Sequence, residues 1–156
     1  MIMDVRIRTF VASKGELVRL DDSTPTLRVG RDEYLDGVAT IEVKGRPVID
    51  ETYVDAIDWF WGSLWHRTKE FANGADVTVG LCSLPYELGL VHLADRNAQI
   101  SFTGRGVSVR RFCPADMLVE AIVTEAESFY RNRIRLARKQ QREWPRTLDD
   151  IRAFRG

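Results

Sequence analysis

The sequence has few of the groups from which catalytic or phosphate-binding sites are built. It holds two histidines and two cysteines, and its Gly104-Arg105-Gly106 run reads as a hairpin turn because no strand-to-helix switch follows it. Formal net charge is zero, so no overall field recruits nucleic acid or an anionic lipid surface. No run approaches the roughly 18 apolar residues that a membrane span needs. The opening stretch MIMDVRIRTFVAS places charges inside its apolar residues, which argues against a secretory leader and sets the expectation of a cytoplasmic protein. His66, His92, Cys82 and Cys113 would make four zinc ligands, but none stands at paired-ligand spacing, so no metal is expected. A Cys82–Cys113 disulfide is open on spacing alone, yet two thiols in a leaderless chain are expected to be reduced and buried.

What is present describes one globular domain spanning residues 1–156. Hydrophobic residues are 44% and charged residues 29% of the chain, a balance that can fill a single core at this length. Period-two alternation predicts strands in DVRIRTFVA, ELVRL and GVATIEVKG, and a short one at 26–30. Four more, DVTVGLC, YELGLVHLA, NAQISFTG and GVSVRRF, are joined by connections so short that neighbours must run antiparallel. Helical periodicity predicts a first helix over 52–72, with Thr52 and Asp55 as its capping box and Gly74 as its stop. A second helix is expected over 114–142, opened by Pro114 and ended by Trp144-Pro145, followed by a short C-terminal helix capped by Thr147 and Asp150. The expected fold is α+β: an antiparallel β-meander sheet packed against these two main helices.

The first helix contains AIDWFWGSLWH, three tryptophans within about three turns. On a helical wheel Ile57, Trp61, Leu64, Trp65, Thr68 and Phe71 share one face, which reads as core. Trp59 lies opposite, in line with Asp55, Ser63, His66 and Glu70, and is either covered by the acidic 21–36 segment or exposed for a partner. His66 and Glu70 stand at i,i+4 and would suit an acid–base pair, but no nucleophile or substrate anchor accompanies them. A solvated ion pair is the expectation, and no catalytic residue and no cofactor is assigned. His92 reads as a satisfied sheet histidine.

Two charged surfaces stand out. Glu127, Arg131, Arg135, Arg138 and Arg142 recur along the outer face of the second helix, either a solvated face or a stripe for phosphates or an acidic partner. Arg105, Arg110 and Arg111 would extend that stripe, but no nucleic-acid-binding module is recognisable, so nucleic acid is the weaker reading. Asp21, Asp22, Asp32, Glu33 and Asp36 surround Tyr34, and carboxylates around a tyrosine suit a basic protein surface. The partner-binding set is therefore Asp32, Glu33, Tyr34 and Asp36, with Trp59 as an apolar anchor.

KGRPVIDETYVDAIDWFWGSLW, then a meander, then VRRFCPADMLVEAIVTEAESFYRN resembles small bacterial α+β proteins found among the immunity proteins of polymorphic toxin systems. The likeness runs over about residues 38–135 and rests on element order and the aromatic-rich helix. It implies a stoichiometric protein partner, a cognate toxin to be bound and neutralised, such as a nuclease-like domain with a basic cleft. It transfers no catalytic residue.

Overall fold

Lys14-Gly15, Lys44-Gly45 and Arg105-Gly106 have positive φ at both residues, the form of two-residue hairpin turn whose twist matches the flanking strands. In the computed structural model, which describes residues 4–27, 35–137 and 141–156, these turns close three hairpins. They join β1 (Val5–Ser13) to β2 (Glu16–Arg19), β3 (Asp36–Val43) to β4 (Arg46–Ile49), and β8 (Asn97–Gly104) to β9 (Val107–Pro114). β1 also pairs antiparallel with β3, Ile7 opposite Ile41, and the order of the first sheet is β2-β1-β3-β4. The two-residue β5 (Asp55–Ala56) adds to the start of β3. A side chain on Gly37 would run into the Phe10 carbonyl, so only glycine admits β3 this close to β1.

The second sheet is the meander anticipated from the sequence, β6 (Val77–Gly80), β7 (Glu87–His92), β8 and β9 in chain order, all antiparallel. The strands therefore form two sheets rather than one. They meet where β4 lies against β8 and β9, while the helices bridge them. α1 (Ile57–Ala72) packs on β3 and β6, and α2 (Ala115–Leu136) packs on β1 and against β8 and β9. One continuous core results, with Trp61, Phe71, Phe102, Phe129 and Ile122 fully enclosed.

The helices depart from expectation at their ends. α1 starts at Ile57, not at 52, because Asp55 and Ala56 are taken into the sheet and the Ile57 amide donates to the Leu35 carbonyl. Thr52 therefore caps nothing: its amide donates to the Asp50 carboxylate. α2 stops at Leu136, and α3 (Glu143–Arg155) begins before the proline. Pro145 occupies the first turn of α3, where its missing N–H has no intrahelical acceptor to lose. Thr147 and Asp150 lie inside that helix rather than at its start. No helix of the described residues is long and apolar enough to cross a membrane.

Polar side chains fasten these layers where the wheel shows only apolar ones. Glu125 is buried on α2, accepting the Thr9 amide at 2.8 Å and the Thr9 hydroxyl at 3.0 Å, with Arg19 at 3.3 Å. The Trp61 indole N–H donates to the same Thr9 hydroxyl at 3.1 Å. Burial pushes the Glu125 carboxyl above its ordinary pKa, with Arg19 and Thr9 pulling against it. Phe129 stacks on Trp61 with ring centroids 5.9 Å apart, so this polar knot is sealed by aromatic rings.

Candidate functional site

Trp59, on the first turn of α1, is 54% exposed although the chain could bury the other three tryptophans almost completely. Its indole N–H reaches the Gly80 carbonyl at 3.4 Å, a long bond that ties the ring edge to the end of β6 and leaves the ring itself open. Beside it runs an open groove of about 600 Å³, lined on one side by Asp58, Trp59, Gly62, Ser63 and His66 of α1. Tyr130 of α2, Trp144 and Thr147 of α3 and Cys82 of the β6–β7 loop complete its walls.

Two buried anchors hold those walls. The first is Asp55, whose carboxylate accepts the amides of Ala56 at 2.7 Å, Ser83 at 2.8 Å and Leu84 at 2.9 Å. It thus pins the loop carrying Cys82 against the start of α1. Burial acts to raise the Asp55 pKa, but the amides of Leu84, Ser83 and Ala56 outweigh it and hold the carboxyl below its usual range. The second is Arg133, 3% exposed, which forms a two-pronged pair with Asp58 at 2.8 and 3.0 Å. Its guanidinium lies 4.3 Å from the centre of the Trp144 ring. One arginine therefore joins α1, α2 and the first turn of α3 beneath the groove.

His66 lines the groove but meets Glu70 only at 3.4 Å across the exposed helix surface, and Glu70 is also held by Arg67 at 2.9 Å. The contact is solvated, as anticipated, and Arg67 is the nearer partner of Glu70. Ser63 lines the same wall, without a hydrogen bond to His66 among the described residues. His92 is satisfied as expected, its Nε2 2.8 Å from the Phe71 carbonyl and its ring stacked on Phe71. The cysteines are both free, but only Cys113 is buried, and burial pushes its thiol up to about 11. Cys82 is exposed at the groove, where a buried thiol was expected.

Of the partner-binding set, Asp32, Glu33 and Tyr34 lie outside the described residues. Asp36 is exposed at the start of β3, paired with Ala56. Its neighbour Leu35 and its partner Ala56 both line the groove, whereas Asp36 itself does not.

The two charged surfaces, read from the sequence as rival interfaces, are joined to each other in their described parts. Arg131 makes two bonds of 2.9 Å to Asp22, and Arg135 donates to the carbonyls of Asp21 and Thr24 at 3.1 and 2.9 Å. The bond from Arg131 also lowers the Asp22 pKa. Arg138 lies outside the described residues, and Arg142 precedes α3 rather than ending α2. The 21–24 turn is thereby fastened to α2 and does not cover Trp59.

Sequence reasoning missed Asp55, Asp58, Glu125 and Arg133 as structural anchors. A signal was present for two of them: Leu118, Ile122, Glu125, Phe129 and Arg133 are spaced by four, three, four and four, one stripe of α2. A polar residue on a core stripe is buried and must have a partner.

Comparison with family models, with curated proteins and with solved structures finds no match to this chain.

Proposed function

We propose that this chain is a stoichiometric protein-binding protein, an immunity protein that occupies and neutralises a cognate bacterial toxin. The observation that carries the reading is the exposed ring of Trp59 beside an open groove whose walls are pinned by Asp55 and Arg133. Large aromatic side chains held rigidly beside a concavity are the usual anchors of protein interfaces. Rigidity matters because a site that need not be ordered on binding loses less entropy there. The resemblance of residues 38–135 to immunity proteins supplies the class of partner, and Asp36 beside the groove suits the basic cleft of a nuclease-like toxin.

A second reading rests on the groove volume, about 600 Å³, which lies within the range of small-molecule sites. In it Trp59 and His66 contact a ligand; Glu70 would act only through His66.

The deciding experiment is co-expression with the product of the adjacent reading frame. Growth arrest caused by that product should be relieved by the wild-type chain, with a one-to-one complex by calorimetry. Trp59→Ala should weaken that complex at least tenfold while the melting temperature stays within a few degrees. A neighbour that is neither toxic nor bound, or a Trp59→Ala chain that binds as tightly as wild type, would overturn the reading.

A further inference from the structure

We infer that the groove beside Trp59 receives a basic side chain of the partner, an arginine or a lysine; this rests on the protein-binding reading and gives its contact a chemistry. Among the described residues, the carboxylates lining the groove are Asp58 and Glu143, beside the His66 imidazole, the Cys82 thiol and the Tyr130 phenol. Asp58 is neutralised on the spot by the two-pronged bond from Arg133. Glu143, exposed on the first turn of α3, has no hydrogen bond or ion pair among the described residues, and neither has Asp36 at the neighbouring start of β3. The described cations nearest in sequence, Arg142 and Arg146, do not line the groove. Its uncompensated described charge is therefore negative, and it lies in the same groove as a free indole face.

Those two features together select a cation. An indole face attracts a guanidinium or ammonium through the ring quadrupole, and a carboxylate nearby adds charge complementarity. The groove floor already shows this chemistry on the chain's own Arg133, held between the Asp58 carboxylate and the Trp144 ring. An incoming side chain at the rim would find the same pair of partners in Glu143 and Trp59. An anion would meet unpaired carboxylates instead, and a purely apolar group would leave Glu143 desolvated without a partner.

The test uses four probes on the intact chain: the N-acetyl amides of arginine, lysine, citrulline and glutamate. Their binding is read from the indole N–H resonance of Trp59 in a ¹H–¹⁵N spectrum at 0.15 M salt. Trp59→Phe assigns that signal, and the buried Trp61 and Trp65 signals serve as internal references. Arginine and lysine amides should shift the Trp59 signal saturably. Citrulline amide, nearly the same shape without the charge, should bind about tenfold more weakly or not at all, and glutamate amide should not bind. Glu143→Gln should weaken the arginine response about threefold, the scale of one exposed charge pair, and Glu143→Lys should abolish it. Both positions are exposed, so these variants keep the fold, which the unchanged Trp61 and Trp65 signals verify. Equal responses to citrulline and arginine, or a response to glutamate, would overturn the inference. A partner complex that depends on Trp59 while arginine and lysine amides leave its signal untouched would overturn the cation assignment alone. A Trp59-independent complex would overturn the protein-binding reading, whatever the amides do.

Discussion

At the scale of single residues, similar side chains take opposite roles according to what faces them. Trp61 and Trp59 are two positions apart on α1, yet one is fully enclosed and the other is mostly in water. Trp61→Ala should cost about 3–5 kcal/mol, the range for deleting a large core ring, and it also removes the donor that holds the Thr9 hydroxyl. Urea denaturation measures this; a loss below 1 kcal/mol would show that the core closes without it. Asp55 gives a pH-dependent case. Its folded pKa is depressed, so its contribution is complete above the unfolded value of about 3.9 and is lost as pH falls through the folded value. Asp55→Asn keeps the shape but offers its amides a weaker acceptor, and should cost about 2 kcal/mol at pH 7. Urea melts below the ordinary aspartate range should show a smaller gap between the two proteins, because the unfolded wild type then takes up a proton that it must give up to fold. Trp61 and Trp65 were legible in the sequence, since helical periodicity marks a core face directly. Asp55 was not, because Ser83 and Leu84 come to it from a loop far along the chain, and local spacing carries no trace of them.

At the scale of elements, the strands with strict alternation and the X-Gly hairpin turns could be read from the sequence, and the meander of β6 to β9 was. The segment Arg46–Ala56 could not, because β4 pairs with β3 through a register shift beside Pro47 and β5 is only two residues long. Such pieces are held by neighbours rather than by their own pattern, so the first helix seemed to begin five residues early. The ends of α2 and α3 depend likewise on a contact no wheel displays, Arg133 against Asp58 and Trp144. Arg133→Ala should cost about 2–3 kcal/mol, less than the roughly 3–5 kcal/mol of a fully buried pair because Asp58 keeps some contact with water. The loss should be local. Hydrogen exchange should show α3 losing protection first, while β1 and β3 keep theirs. Uniform loss across the chain would mean that α3 unfolds only with the whole domain.

At the scale of the whole molecule, zero net charge hides a division of labour among the charges. Asp21 and Asp22 form a turn that receives Arg131 and Arg135 from α2, so opposite charges distant in sequence meet and cancel. Sequence distance concealed that pairing, and the two surfaces read as separate interfaces. Of the described acids at or next to the groove, Asp36 and Glu143 have no ion pair among the described residues and remain for steering a partner, and Asp32 and Glu33 stand close to Asp36 in sequence. Steering by such charge raises association rates and fades with salt, whereas buried contacts govern how long a complex lasts. Reversing Asp32, Glu33 and Asp36 together to lysine should therefore slow association with the partner about tenfold or more at low salt and flatten its salt dependence. Dissociation should change little, and thermal stability should hold because Asp36 is exposed and pairs through its backbone. Arg131→Glu makes the contrasting variant: it breaks the bonds to Asp22 and should lower thermal stability by a few degrees with little effect on association. Stopped-flow rates for both variants over a salt series would separate the roles. If Arg131→Glu slows association and the triple reversal does not, the partner docks on α2 instead of beside Trp59, and it is an acidic protein.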